Sequence, residues 1–397
     1  MANSILTPTA VTREILRVAH EKLAFIGTIE RQYDSSFAKT GAKIGDSLSI
    51  RQPNKYTVRT GKTLNAQDTE ESSVTLTVAT QKGVDMNFSS QDLTLDLDDF
   101  SKRIIEPAAA VLVSNIEGAM LGDVTKDVYN HVGTPGTLPT FAQINKAKAK
   151  LNQTLAPKDN NRCIQMESID MAGQVDALKG LFQDSTGIAK QYRDGVVGRA
   201  AGLDWVENER IYTHANSSDI TGITINANVS NGDTSFTITG ASAAPTVGTI
   251  FTCDATYAVH PETKVAYAHL QQFVVTDLTT PSTTVISIEP VPYESGAKQN
   301  VDALPTSTDA LVFVGAASTN YPNHLVYHKE AFAFATADLV KPEGVDWCAR
   351  ENYDGLSIRL VRAYDINNDN FPCRLDILHG WKTLRPEWAA RIMGSGA

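Results

Sequence analysis

The segment IIEPAAAVLVSNIEGAMLGDVTKDVYNHVG (104–133) decides how the rest of the chain is read. Its apolar residues Ile104, Ala108, Val111, Leu112, Ile116, Ala119, Met120 and Val128 recur close to helical spacing. That spacing predicts one long helix with an apolar stripe, and Ile104, Val111, Leu112, Ile116 and Met120 are its expected core residues. Asn115, Glu117, Asp123, Lys126 and Asp127 fall on the opposite face. Pro107 fits only a first turn or a kink, and Gly133, Pro135, Gly136 and Pro139 stop the helix. Asp96, Asp98 and Asp99 lie ahead of it, where negative charge favours a helix start. Ala110, Ser114, Gly118 and Gly122 make a second stripe of small residues. A mid-helix glycine costs about 1 kcal/mol relative to alanine, so either another backbone runs close along this stripe or the turn is merely solvated.

Upstream, residues 9–31 read as an amphipathic helix, with Val11, Ile15, Val18, Phe25, Ile26 and Ile29 on one side. A lone helix of that length is marginal in water unless it docks. From Ile44 to Phe88 the period changes to two, as in Leu48/Ile50, Tyr56/Val58 and Val74/Leu76/Val78, which predicts a long antiparallel ribbon with a polar tip at 60–73. Two strands alone are barely stable, so the ribbon is expected to lie on its own chain or on a neighbour. Residues 1–62 hold ten basic against five acidic residues, and residues 63–106 hold three against nine. Arg51, Lys55, Arg59 and Lys62 on the ribbon and Asp96, Asp98 and Asp99 before the helix are therefore candidates for head-to-tail contact between copies. The bland alternative is solvated faces of mixed sign.

Downstream, Phe141–Leu155 reads as a helix, followed by an alternation of strands and helices up to Tyr212. Composition changes at Gly222. Threonine and serine become dense, Asn231–Gly232 marks a hairpin turn, and strands are expected at 223–229, 249–252, 270–276, 285–289 and 311–314. Residues 222–318 carry eight acidic against two basic residues. They read as a small, acidic all-β domain inserted at an exposed loop. Mixed character returns after Leu325, with paired strands at 356–365 and 373–379.

The whole chain of 397 residues has an ordinary globular composition, 42% hydrophobic and 20% charged, and a formal charge of −10. An acidic protein is a poor general nucleic-acid binder. No apolar run approaches the ~20 residues of a membrane span, and the opening MANSILTPTAVTREIL lacks the pattern of a secretion signal. Cys163, Cys253, Cys348 and Cys373 are scattered, as expected of reduced thiols. Catalytic chemistry is not indicated. Thr60–Gly61–Lys62–Thr63 imitates the end of a phosphate loop, but Tyr56 stands where its first glycine belongs. His324 and His328 have metal-ligand spacing only on a helix, whereas Pro322 and the flanking apolar residues favour a strand. No cofactor, metal or catalytic site is expected.

The order of parts, with YRDGVVGRAAGLDWVENERIY (192–212), TGITI (221–225), VGTIFTCDATYAVHPETKVAYAHLQQFVVTD (247–277) and LDILHGWKTLRPEWAARI (375–392), resembles the P22-type coat proteins of tailed bacteriophages. The resemblance implies an α+β, HK97-like capsid fold. Its parts would be an N-arm (1–35), an extended β-ribbon loop (36–90), a peripheral domain with a spine helix (91–132) and an axial domain (133–221). The inserted accessory domain (222–318) and the remaining axial and peripheral strands (319–397) would complete it. It further implies a major capsid protein that assembles with itself as hexamers and pentamers of an icosahedral shell. A separate scaffolding protein, a portal protein and non-specifically held double-stranded DNA would be its partners, with no membrane. Assembly would take place in the bacterial cytoplasm, and the product would be the virion capsid. The start directly at the arm, without a long leading segment, implies the separate scaffold. The competing readings are an encapsulin-like nanocompartment shell and a β-rich binding protein.

Overall fold

The computed structural model describes residues 8–31, 46–64, 66–68, 71–89, 106–178, 197–276, 282–353 and 355–395. The fold is α+β and divides by contacts into two compact units, residues 1–50, 73–120 and 332–384 in one and residues 51–72, 121–331 and 385–397 in the other.

The first unit is built on a five-stranded sheet. Strand Asn370–Thr383 is its axis, pairing with Phe332–Ala337 and Leu356–Arg362, while Trp347–Tyr353 extends the sheet beyond the latter. Strand Thr80–Ser89 also joins it, paired with residues 370–379. The expected ribbon is thus shorter than its alternation suggests. Asp46–Arg51 and Ser73–Val78 pair, the last rung beyond them is Gln52 N to Ser72 O at 2.8 Å, and the return strand then enters the sheet. Pro53, lacking an N–H, follows that rung directly.

The N-terminal helix Pro8–Lys22 buries Ile15, Leu16, Val18 and Ala19. The sequence runs it to residue 31, but the structure stops it at Lys22 and forms a single 3-10 turn at Ile26–Thr28. The cause is Glu117. Its carboxylate accepts the backbone N–H of Ala24 at 3.3 Å and that of Phe25, so these donors no longer close helical rungs. Phe25 then packs on Phe332, ring centroids 5.7 Å apart.

The long helix spans Glu106–Asp127, about 33 Å at ~1.5 Å per residue. Leu112, Ile116 and Met120 are buried, and Ile104 lies outside the described residues. Two readings are corrected. Val111 is 63% exposed, because one residue is a 100° turn and it falls beside the stripe that Leu112 occupies. Glu117, placed on the polar face by spacing, is fully buried. Buried pairs at 108/109, 112/113, 116/117, 120/121 and 124/125 show a covered face wider than one stripe. Among the described residues nothing stands within 4 Å of a Cβ placed on Gly118, and one placed on Gly122 would meet the ring of Tyr212 at 3.7 Å.

The second unit contains helices Phe141–Gln153 and Ser168–Leu178 and a sheet in which Ala389–Met393, Asn320–His328, Arg162–Met166, Leu203–Glu207 and Arg199–Ala200 are neighbours. A capping box at Thr140 and Gln143 starts the first helix. Residues 222–318 form a separate six-stranded sheet. Its ends meet: Leu311 N donates to Ile223 O and Ile225 N to Asp309 O, both at 2.9 Å, so the sheet closes into a barrel. Phe251 packs on Phe236, Phe273 and Phe313 inside it, at centroid distances of 6.2, 5.7 and 5.3 Å. The turn expected at Asn231–Gly232 is present inside a longer connection between the strands, closed by Asp233 N to Ser230 O at 3.1 Å, and Gly232 at its third position has φ +89°. The barrel is seated by Gln272, whose amide accepts from His131 N at 2.9 Å and donates to His131 O at 3.0 Å.

Burial holds several histidines neutral. It is the main cause that pushes His131 and His214 down to about 3, with Arg391 adding repulsion, and His379 down to about 4. An unfolded histidine titrates near 6.5. Above that pH both states are neutral and the contribution is complete. As pH falls from about 6.5 towards 3, the unfolded chain binds protons that the native one refuses, and stability is lost. The melting temperature is expected to fall steadily below pH 6.5; an unchanged melt between pH 7 and pH 5 would contradict these burials.

Candidate assembly surfaces

Between the two short ribbon strands, the described residues among 52–72 carry no regular structure. Gln67 holds this loop from inside, accepting from Thr57 N at 2.8 Å and donating to Thr57 O at 2.6 Å. Arg59 donates to the carbonyl of Gly61. Arg51 meets Glu71 at 3.0 Å, but the two side chains are 77% and 54% exposed, so the pair stabilises little. Lys55, Arg59 and Lys62 are exposed, as are Tyr56, Val58 and Leu64 at 58%, 95% and 82%. The loop groups by contacts with the second unit of its own chain, where the charge of Lys55 acts on Glu387 and Lys264. Asp96, Asp98 and Asp99, the expected acidic counterparts, lie outside the described residues.

The residues that spacing singles out for chemistry are each otherwise engaged. His324 and His328 lie on the strand Asn320–His328, and each meets its own carboxylate, Asp170 at 2.5 Å and Asp159 at 2.9 Å. Glu167 N donates to His324 Nδ1, which leaves Nε2 as the donor to Asp170. Ser395 Oγ donates to the other oxygen of Asp170 at 2.7 Å. The carboxylate therefore stands between serine and imidazole, an order in which the imidazole cannot take the hydroxyl proton. Among the described residues no group of His, Cys, Asp and Glu is arranged to hold a metal ion. Thr60–Gly61–Lys62–Thr63 lies in the loop, not at a strand-to-helix junction.

Sequence reasoning missed Glu117 and Asp376. Asp376 is fully buried and accepts from Arg359 Nη2 at 2.6 Å and Arg374 Nε at 2.8 Å. The available signal was Gly83, on the neighbouring strand opposite Asp376, where a side chain would collide with that carboxylate.

Comparison with known proteins assigns the family. The family described as "P22 coat protein - gene protein 5" matches residues 3–394. No curated protein matches the chain. Among solved structures it is similar to the Mycobacterium phage Che8 structure, at 12% identity and TM-score 0.48, over 93% of this chain and 90% of that one. It is also similar to the capsid of Ralstonia phage GP4, at 8% identity and TM-score 0.47, over 93% and 87%. The CUS-3 coat protein I-domain is 26% identical over 25% of this chain and 99% of its own, with TM-score 0.20. The family match over nearly the whole length carries the assignment: the chain belongs to the P22 coat protein family and is a structural major capsid protein of a phage virion, not an enzyme.

Proposed function

We propose that residues 51–72 are the part of this coat subunit that engages the next copy, and that head-to-tail repetition of the contact closes hexamers and pentamers into an icosahedral shell. The observation that carries this reading is the loop itself. Three exposed apolar side chains, Tyr56, Val58 and Leu64, sit among the cations Arg51, Lys55, Arg59 and Lys62. Such a surface is stable in water but gains by burial against an acidic neighbour. In this reading the loop lies on its own chain in the free subunit and transfers on assembly. A separate scaffolding protein guides assembly in the bacterial cytoplasm, a portal protein occupies one vertex, and double-stranded DNA is held without sequence preference inside. The acidic barrel suits a surface turned away from that DNA.

Reversing two charges tests the loop. The double variant Arg59→Glu, Lys62→Glu is expected to melt like the wild type, because neither charge supports its own unit. Its yield of shells, counted by electron microscopy, should drop at least about tenfold at low ionic strength, where charge pairing is least screened. Wild-type assembly by this variant would refute the proposal.

A further inference from the structure

Strand Ala389–Met393 carries Arg391 into the interior of the second unit, where its side chain is fully buried. The strand is flanked on both sides, and Arg391 lies opposite Leu325 in one neighbour and His131 in the other. On the His131 side, Arg391 N donates to Asn130 O at 2.7 Å and Val132 N to Arg391 O at 3.0 Å. Residues opposed in this way point to the same face, so guanidinium and imidazole stand side by side. Nε, Nη1 and Nη2 of Arg391 have no hydrogen-bond partner among the described residues. Neither has Nε2 of His131, which is 6% exposed. Asp127 attracts the guanidinium, but no hydrogen bond joins the two. His214 differs, since its ring nitrogens meet Thr249 Oγ1 at 3.0 Å and the Tyr212 hydroxyl at 3.4 Å.

Native interiors leave few polar side chains unpaired, and a buried charge without a partner is strongly destabilising. Burial lowers Arg391 to about 9, so it stays charged at neutral pH. Its surroundings add positive charge, because Lys126 acts on His214 and Lys150 on His131. We propose that Arg391 and His131 hold a small monovalent anion of the halide class inside the subunit. The anion supplies the missing countercharge, accepts from the guanidinium and takes a further hydrogen bond from Nε2–H of His131. Water would satisfy the donors but leave the charge uncompensated. Both side chains are enclosed, which suits an ion and not a ligand that reaches solvent, such as a nucleotide or an acidic peptide. The ion pins residues 130–132, just beyond the long helix, to the strand Ala389–Met393.

The test is thermal melting of the purified full chain in sodium bromide and in sodium gluconate at equal ionic strength. The wild type is expected to melt at least about 3 °C higher in bromide, with a dependence that saturates. Arg391→Met replaces the charge by an apolar chain and is expected to melt alike in the two salts. Anomalous scattering from wild-type crystals grown in bromide should show one ion beside Arg391. Equal melting of the wild type in both salts overturns the proposal, as does a bromide effect that survives in Arg391→Met. A water molecule in place of the ion overturns it too. The crystallographic measurement needs no variant, so it decides the matter even where Arg391→Met fails to fold.

Discussion

Gly380→Val is expected to yield a chain that does not fold, losing more than about 4 kcal/mol. Gly380 lies in the axial strand Asn370–Thr383, paired with Ala335. The strand Ser73–Val78 crosses it so closely that a Cβ at residue 380 would overlap the carbonyl oxygen of Thr77 and stand 3.0 Å from the Cα of Val78. Both obstacles are main chain. A side-chain obstacle can rotate away, whereas backbone can yield only by shifting a strand. That shift would uncover Leu76 and Val78, which are buried, and would undo the cluster of Val78, Ala337, Leu339 and Leu378. Gly380→Ala should show the same defect in weaker form. Soluble expression followed by thermal melting decides the matter: a cooperative melt within about 5 °C of the wild type for the valine variant would mean that the ribbon is not seated there.

Asp376→Ala should cost about 3–5 kcal/mol, the range seen when one partner of a buried ion pair is removed. Burial alone would raise this carboxyl, but hydrogen bonds from Arg359, Arg374 and Gln81 outweigh it and hold the group below the usual carboxylate range. Arg359 is the reason for the large effect. Its side chain is 16% exposed, so without Asp376 it keeps a largely covered charge whose remaining acceptor among the described residues is the carbonyl of Val340 at 2.7 Å. Arg374, 57% exposed, can turn to water and matters less. Asp376→Asn should fall between wild type and alanine. Urea unfolding measures the loss, and a value under about 1 kcal/mol for alanine would show that the arginine is not trapped.

These two sites also mark where the sequence is legible. The short strands of the barrel were readable because they bury alternate residues, as Phe236 and Ile238 do against exposed Thr237, whereas Ile250–Val259 and Ala266–Thr276 depart from that alternation. The long helix was readable as a helix, but its covered face was not. Spacing classifies Glu117 by its charge, and nothing local announces that two backbone amides some ninety residues earlier need its oxygens. Asp376 fails in the same way, since Arg359 and Gln81, two of its three partners, come from other strands. The ribbon was overdrawn because Tyr56 and Val58 alternate as a strand would, yet a glutamine side chain bonds this stretch in place of a partner strand. The basic loop residues were visible as charges. Their exposure, and that of Tyr56, Val58 and Leu64 between them, is a property of the folded chain and not of the spacing.

The closure of the barrel has a consequence for a protein that must crowd against hundreds of its own kind. An open sheet ends in rows of unpaired amides and carbonyls, which recruit any passing extended chain. Among the described residues of 222–318 the first and last strands satisfy one another, so the two ends of this sheet do not present that template. Closure of this kind leaves the choice of neighbour to side chains.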